Sequence, residues 1–185
     1  TEPDREAIFG FRNSYQEEIR KLAGESDYVV DKMPHNFRHI GLICAAFPEA
    51  RIVNLLRDPA AVCWSNFKHY FPAENLGYSN DLKDVVQFYQ LYWDLMNFWR
   101  ERHPDRIYDL DYEHLTIDQE DQTRKLIAAM GLDWEDACLA PQKNDRKVKT
   151  ASQQQVRREV YKGSSEEWRR FEKYLGKAFD NLPGI

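Results

Sequence analysis

Ile52-Val53-Asn54-Leu55-Leu56-Arg57-Asp58-Pro59-Ala60-Ala61-Val62-Cys63-Trp64-Ser65 is the stretch whose reading sets the fold class. Its β-branched and apolar start reads as a buried strand, and Pro59 is preorganised for the first turn of a helix. Arg57 then leaves the carboxyl end of the strand, and Ser65, eight residues on, sits about two turns along the helix. Strand-to-helix corners of this kind hold anionic ligands in α/β sheets. A guanidinium offers forked donors and a neighbouring hydroxyl adds another, so the pair reads as a phosphate clamp. The competing reading is an Arg57–Asp58 surface pair before an ordinary helix start.

Upstream, Tyr28-Val29-Val30 reads as a short buried strand leading into Asp31-Lys32-Met33-Pro34, followed by a helix from about Phe37 to Phe47. With the strand at Arg51 to Leu56 and a helix from Pro59 to about Tyr70, this makes two successive strand-turn-helix units, which predict a parallel α/β sheet. Lys32 and Arg57 would then face one crevice and converge on a polyanion. A first helix runs from a cap at Asp4 to Gly24.

Downstream, Phe71 to Asn80 reads as a loop, and Asn80 or Asp81 caps a long helix reaching about Arg102. The stripe Val85, Tyr89, Tyr92, Trp93, Met96 and Trp99 on that helix reads as core rather than as a ligand cage. A third strand spans Arg106 to Asp111 and ends at Tyr112-Glu113. Helices follow at Asp118 to Met130 and Trp134 to Ala140, then a basic polar stretch from Pro141 to Gly163. Ser164 or Ser165 is expected to cap a last helix reaching about Phe179.

The composition narrows the classes. A chain of 185 residues with 42% hydrophobic residues supports one domain, or most of one. The net charge of −5 excludes a surface that binds nucleic acid throughout, so any anion site is local. Cys44, Cys63 and Cys138 show no paired spacing and read as free thiols, which fits a reducing compartment. No run approaches the length of a membrane span, and the first residues given lack the charged and apolar regions of a signal peptide. Thr1-Glu2-Pro3-Asp4 reads as an arbitrary boundary, so the chain is expected to be a fragment. His35 and His39 have the spacing of metal ligands on one helical face but lack a third ligand, so no metal is expected. His35 is also near enough to Lys32 in sequence to be weighed as a base, against a surface role.

Asp31-Lys32-Met33-Pro34-His35-Asn36-Phe37, Ile40-Gly41-Leu42-Ile43, Phe47-Pro48, Arg57-Asp58-Pro59 with Ser65, Asp111-Tyr112-Glu113-His114-Leu115, Thr150-Ala151-Ser152-Gln153-Gln154-Gln155-Val156-Arg157, Lys162-Gly163 and Trp168 together resemble the sulfotransferases that use 3′-phosphoadenosine 5′-phosphosulfate. The likeness is greatest to the branch of protein-tyrosine sulfotransferases and bacterial sulfotransferases fused to tetratricopeptide repeats. It implies a three-layer sandwich with a parallel sheet, related to P-loop kinases, and one partial domain over residues 1–185. It further implies that Arg57, Ser65, Lys162 and the Gly163 backbone hold the 3′-phosphate, and that Tyr112 lies beside the adenine. Lys32 and Ser152 would stabilise the charge on the departing phosphate. Where the family has arginine before Lys-Gly, this chain has Tyr161.

The family's opening strand and its Gly, Ser and Thr loop for the 5′-phosphosulfate do not occur in these residues, so weak nucleotide binding with little turnover is expected of this chain alone. The resemblance implies a hydroxyl or amine acceptor on a peptide tyrosine, a glycan or a small molecule. It also implies a bacterial cytoplasm, or a Golgi lumen for a eukaryotic parent. An unpaired sheet edge raises a homodimer. A non-catalytic interaction domain that keeps the fold is the alternative. A nucleotide kinase is disfavoured, because no Walker lysine loop is found.

Overall fold

A computed structural model describes residues 4–24, 26–71, 74–144 and 160–184. It divides into two compact units, each drawn from separate stretches of the chain: Thr1–Arg51 with Tyr92–Arg106, and Ile52–Leu91 with Ile107–Ile185.

In the first unit, helix α1 (Arg5–Ala23) starts where the Asp4 carboxylate accepts the Glu6 N–H at 3.1 Å, and it stops at Gly24, whose φ is 59°. A 3₁₀ turn (Asn36–His39) leads into helix α2 (Ile40–Ala46), so the expected single helix is two pieces. Helices α1 and α2 pack together: Arg12 donates to the Ala46 carbonyl at 2.6 Å, and the Phe47 ring meets Phe11 and Tyr15 edge-on. Arg106 fastens the chain after α2, donating from Nη2 to the carbonyls of Phe47 (2.8 Å) and Ala50 (2.7 Å) and from Nε to Ala50 (3.1 Å). Ile40, Cys44, Ala46 and Met96 are buried.

Tyr28-Val29-Val30 is not a strand. It is exposed, with Val30 at 84%, and belongs to no ladder. Strand propensity yields a strand only when a neighbour supplies hydrogen bonds and a covered face, and among the described residues the one sheet is formed by two other segments.

In the second unit, strand β1 (Ile52–Leu56) pairs in parallel with strand β2 (Ile107–Asp111), in the register Ile52↔Ile107 to Leu56↔Asp111. Facing partners Asn54 and Asp109 are joined by an amide-to-carboxylate bond of 2.7 Å. Strand β1 is not buried on both faces as expected: Val53 and Leu55 are 42% and 53% exposed, while Ile52, Asn54 and Leu56 alternate to the more covered side. Helix α3 (Pro59–Lys68) follows β1. Asp58 caps it through Ala61 N–H at 2.6 Å, and Pro59 sits in its first turn.

The expected loop after α3 contains a 3₁₀ helix at Glu74–Asn80. Asp81 then accepts N–H groups of Lys83 (2.8 Å) and Asp84 (3.3 Å) at the start of α4 (Leu82–Arg102), whose Val85, Tyr89 and Met96 are buried as core. Helix α5 (Tyr112–Ile117) starts directly at the end of β2, a helix absent from the sequence reading. Helix α6 (Gln119–Met130) ends at Gly131 in the left-handed region, and a 3₁₀ turn at Asp136–Leu139 replaces the expected short helix. The last expected helix is a 3₁₀ segment (Ser164–Phe171) continued by α7 (Glu172–Leu175). The 3₁₀ segment packs on α3, with Trp64 and Phe171 stacked at 4.6 Å.

Candidate functional site

Because β1 and β2 are parallel and end in register at Leu56↔Asp111, the next residues, Arg57 and Tyr112, emerge at the same end of the sheet. The Arg57 guanidinium lies over the Tyr112 ring, 4.9 Å from its centroid. A third segment of the chain arrives through Gly163, whose φ of 85° is readily adopted by glycine and delivers Ser164 and Ser165 to the guanidinium. Arg57 Nε donates to Ser165 Oγ at 3.0 Å, and Nη2 donates to the Ser164 carbonyl at 2.9 Å and to its Oγ at 3.3 Å. The Tyr112 hydroxyl shares a 2.8 Å bond with Ser164 Oγ. Behind them, Ser165 donates to Glu113 Oε1, which also accepts the Asp58 N–H at 3.4 Å.

These bonds engage one edge of the guanidinium. The Nη1 group, with its pair of N–H donors, makes no hydrogen bond among the described residues. A fixed cation with unspent donors, at the carboxyl end of parallel strands, has the chemistry to bind an anion.

Of the residues expected to form the site, Arg57 and Tyr112 are brought together, and both meet Ser164, which was expected only as a helix cap. Lys162 is exposed and forms no ion pair among the described residues. Ser65 lies within α3, partly covered; its carbonyl meets His69 Nδ1 at 2.7 Å, while its hydroxyl has no bond among the described residues. Ser164 and Ser165 do not cap their helix, because their side chains are committed to Arg57, Tyr112 and Glu113. The roles of Ser164, Ser165 and Glu113 escaped the sequence reading. The signal available was a Ser-Ser pair directly after Lys162-Gly163, and an acid after Tyr112.

Lys32 belongs to the first unit and is exposed. Its neighbour Asp31 accepts the Tyr15 hydroxyl at 2.6 Å and the Asn36 amide at 3.4 Å, which holds the turn that carries Lys32. Burial, and then the bond to Asp31, push the Tyr15 hydroxyl up to about 12. Burial, with the Arg38 charge nearby, holds His35 below the usual histidine value. Ser152 and the basic residues Arg146, Lys147, Lys149, Arg157 and Arg158 lie outside the described residues. Among the described residues, no group of His, Cys, Asp and Glu is arranged to hold a metal ion, and no helix is long and apolar enough to cross a membrane. A cavity of about 690 Å³ lined by Phe67, Asp81, Lys83 and Leu175 shares no residue with the Arg57 cluster.

A family model described as "Sulfotransferase family" matches residues 4–136. That range contains Lys32, Arg57, Ser65 and Tyr112 and stops short of Ser152, Lys162 and Gly163. An uncharacterized protein of Aquifex aeolicus (strain VF5) is 40% identical over 170 residues, covering 91% of this chain. The chain spans 22% of that relative's length.

Proposed function

The chain belongs to the sulfotransferase family, and from that premise we propose that it carries the 3′-phosphate half of a site for 3′-phosphoadenosine 5′-phosphosulfate. The single observation behind this reading is the Arg57 guanidinium, held by Ser164 and Ser165 with its Nη1 edge unspent. Arg57 binds the 3′-phosphate through Nη1, with Ser65, Lys162 and the Gly163 backbone as further donors, and Tyr112 flanks the adenine.

In the reaction, an acceptor hydroxyl or amine attacks sulfur in line. The bond from sulfur to the bridging phosphate oxygen breaks, the sulfuryl group moves to the acceptor, and adenosine 3′,5′-bisphosphate leaves. Lys32 and Ser152 act on the charge that builds on the departing phosphate, while the 3′-phosphate anchor fixes the donor. No step needs a metal ion to balance. The fold reading is a three-layer, P-loop-kinase-like sandwich of which residues 1–185 are part of one domain. The branch reading is that of protein-tyrosine and tetratricopeptide-linked enzymes.

Calorimetry with adenosine 3′,5′-bisphosphate tests the donor site. Binding in the millimolar range or tighter is expected, and Arg57→Ala weakens it about a hundredfold. Absence of heat from the wild-type chain at millimolar nucleotide overturns the reading.

A second reading, a non-catalytic interaction domain on the same fold, draws on the fact that no Gly, Ser and Thr loop for the 5′-phosphosulfate occurs in these 185 residues. On that reading the chain alone shows no sulfuryl transfer. Transfer to tyrosine peptides or glycans by the parent protein, lost on Lys32→Ala, would exclude it.

A further inference from the structure

Glu113 is a carboxylate set beside a cluster that is read as an anion site, where a negative charge would ordinarily oppose the ligand. Its bonds give it a different purpose. The buried Ser165 hydroxyl has one proton and donates it to Glu113 Oε1, so its lone pairs are turned to the Arg57 Nε–H, 3.0 Å away. A guanidinium is planar, so holding Nε at Ser165 and Nη2 at the Ser164 carbonyl fixes the direction of Nη1. The same Glu113 oxygen accepts the N–H of Asp58, whose own carboxylate caps α3. One oxygen thereby ties together the start of the helix that carries Ser65, the segment after Gly163, and the orientation of Arg57.

A direct Arg57–Glu113 pair would consume the guanidinium fork. With Ser165 between them, the carboxylate orients the cation and leaves its outer edge open.

We propose that Glu113 is a positioning residue that acts through Ser165 to aim the Nη1 edge of Arg57 at the 3′-phosphate of an adenosine nucleotide. This rests on the donor-site reading above. The readout is the preference for adenosine 3′,5′-bisphosphate over adenosine 5′-phosphate, titrated into the wild-type chain and into E113A, E113Q and S165A. A variant that merely lowers the folded fraction weakens both nucleotides alike and leaves the ratio unmoved.

E113A and S165A each cut the preference about tenfold, the effect of one oriented bond to a charged group. E113Q keeps an acceptor oxygen for both donors and stays within about threefold of wild type. The double variant E113A/S165A falls no further than the worse single one, because both remove the same relay. An unchanged preference in E113A and S165A, or equal loss for both nucleotides, overturns the proposal, as does E113Q falling as far as E113A. A wild-type chain with no preference for the 3′-phosphate overturns the donor-site reading and this inference together. A selective wild type with unaffected variants overturns only the inference.

Discussion

The Nε–H of Arg57 donates to the Oγ of Ser165 across 3.0 Å, joining residues 108 positions apart in the chain. That bond brings the segment after Lys162-Gly163 to the end of β1, where local sequence placed only an arginine and a capped helix. With the Nη2 bonds to Ser164, it leaves the guanidinium with an inner edge spent on the protein and an Nη1 group that makes no hydrogen bond among the described residues.

The outer edge depends on the fork, not on charge alone. Arg57→Lys keeps the charge and loses the paired donors. Binding of adenosine 3′,5′-bisphosphate is expected to weaken about tenfold in R57K and about a hundredfold in R57A, measured by calorimetry. Equal affinities for R57K and wild type would mean that a point charge is sufficient.

Gly41 is required by packing. A Cβ at this position would lie 2.6 Å from Cη2 of Trp99, whose indole is held by its N–H bond to the Phe37 carbonyl at 3.0 Å. Gly41→Ala is expected to destabilise the fold by about 1–3 kcal/mol, the usual cost of overpacking. Urea denaturation measures it, and an unchanged midpoint would contradict this approach of α2 to the indole.

Arg106 closes the chain after α2 on the carbonyls of Phe47 and Ala50. Arg106→Ala leaves the partly buried Ala50 carbonyl without its donor, while the Phe47 carbonyl keeps the Ala50 N–H at 3.0 Å, at an expected cost of about 1–3 kcal/mol. The exposed pair Arg124–Glu120 gives the contrast: Glu120→Ala is expected to change stability by less than about 0.5 kcal/mol. Denaturant midpoints of the two variants should therefore differ clearly.

Tyr15 gives the fold an alkaline limit. Its hydroxyl is raised from 10 to about 12, so the folded state holds the proton more tightly than the unfolded chain does. The contribution is fully present below about pH 10 and is lost as pH rises through about 12. Tyr15→Phe removes this pH dependence between 10 and 12. Parallel stability curves for wild type and Y15F across that window would refute it.

Much of the fold was legible because it is set by neighbours in sequence. Asp4, Asp58 and Asp118 cap their helices, Gly24 and Gly131 end theirs, and Pro59 opens α3. The nearness of Arg57 and Ser65 was legible for the same reason, since both belong to one strand-helix corner. Tyr28-Val29-Val30 misled because a strand is a property of pairs: the apolar residues are present, but no ladder among the described residues takes them. Ser164 and Ser165 misled because their hydroxyls had a local use at a helix start and a stronger distant one at a guanidinium.

By itself, the sequence determined the longer helices α1, α3, α4 and α6, the segments that form the two paired strands and the arginine at the end of one of them, because short-range sterics and capping bonds act over a few residues. Only the tertiary structure decided which edge of Arg57 is spent and which remains open. That choice depends on the parallel register of Leu56 with Asp111 and on the arrival of Ser164, Ser165 and Glu113, contacts across 52 to 108 residues that no local preference encodes.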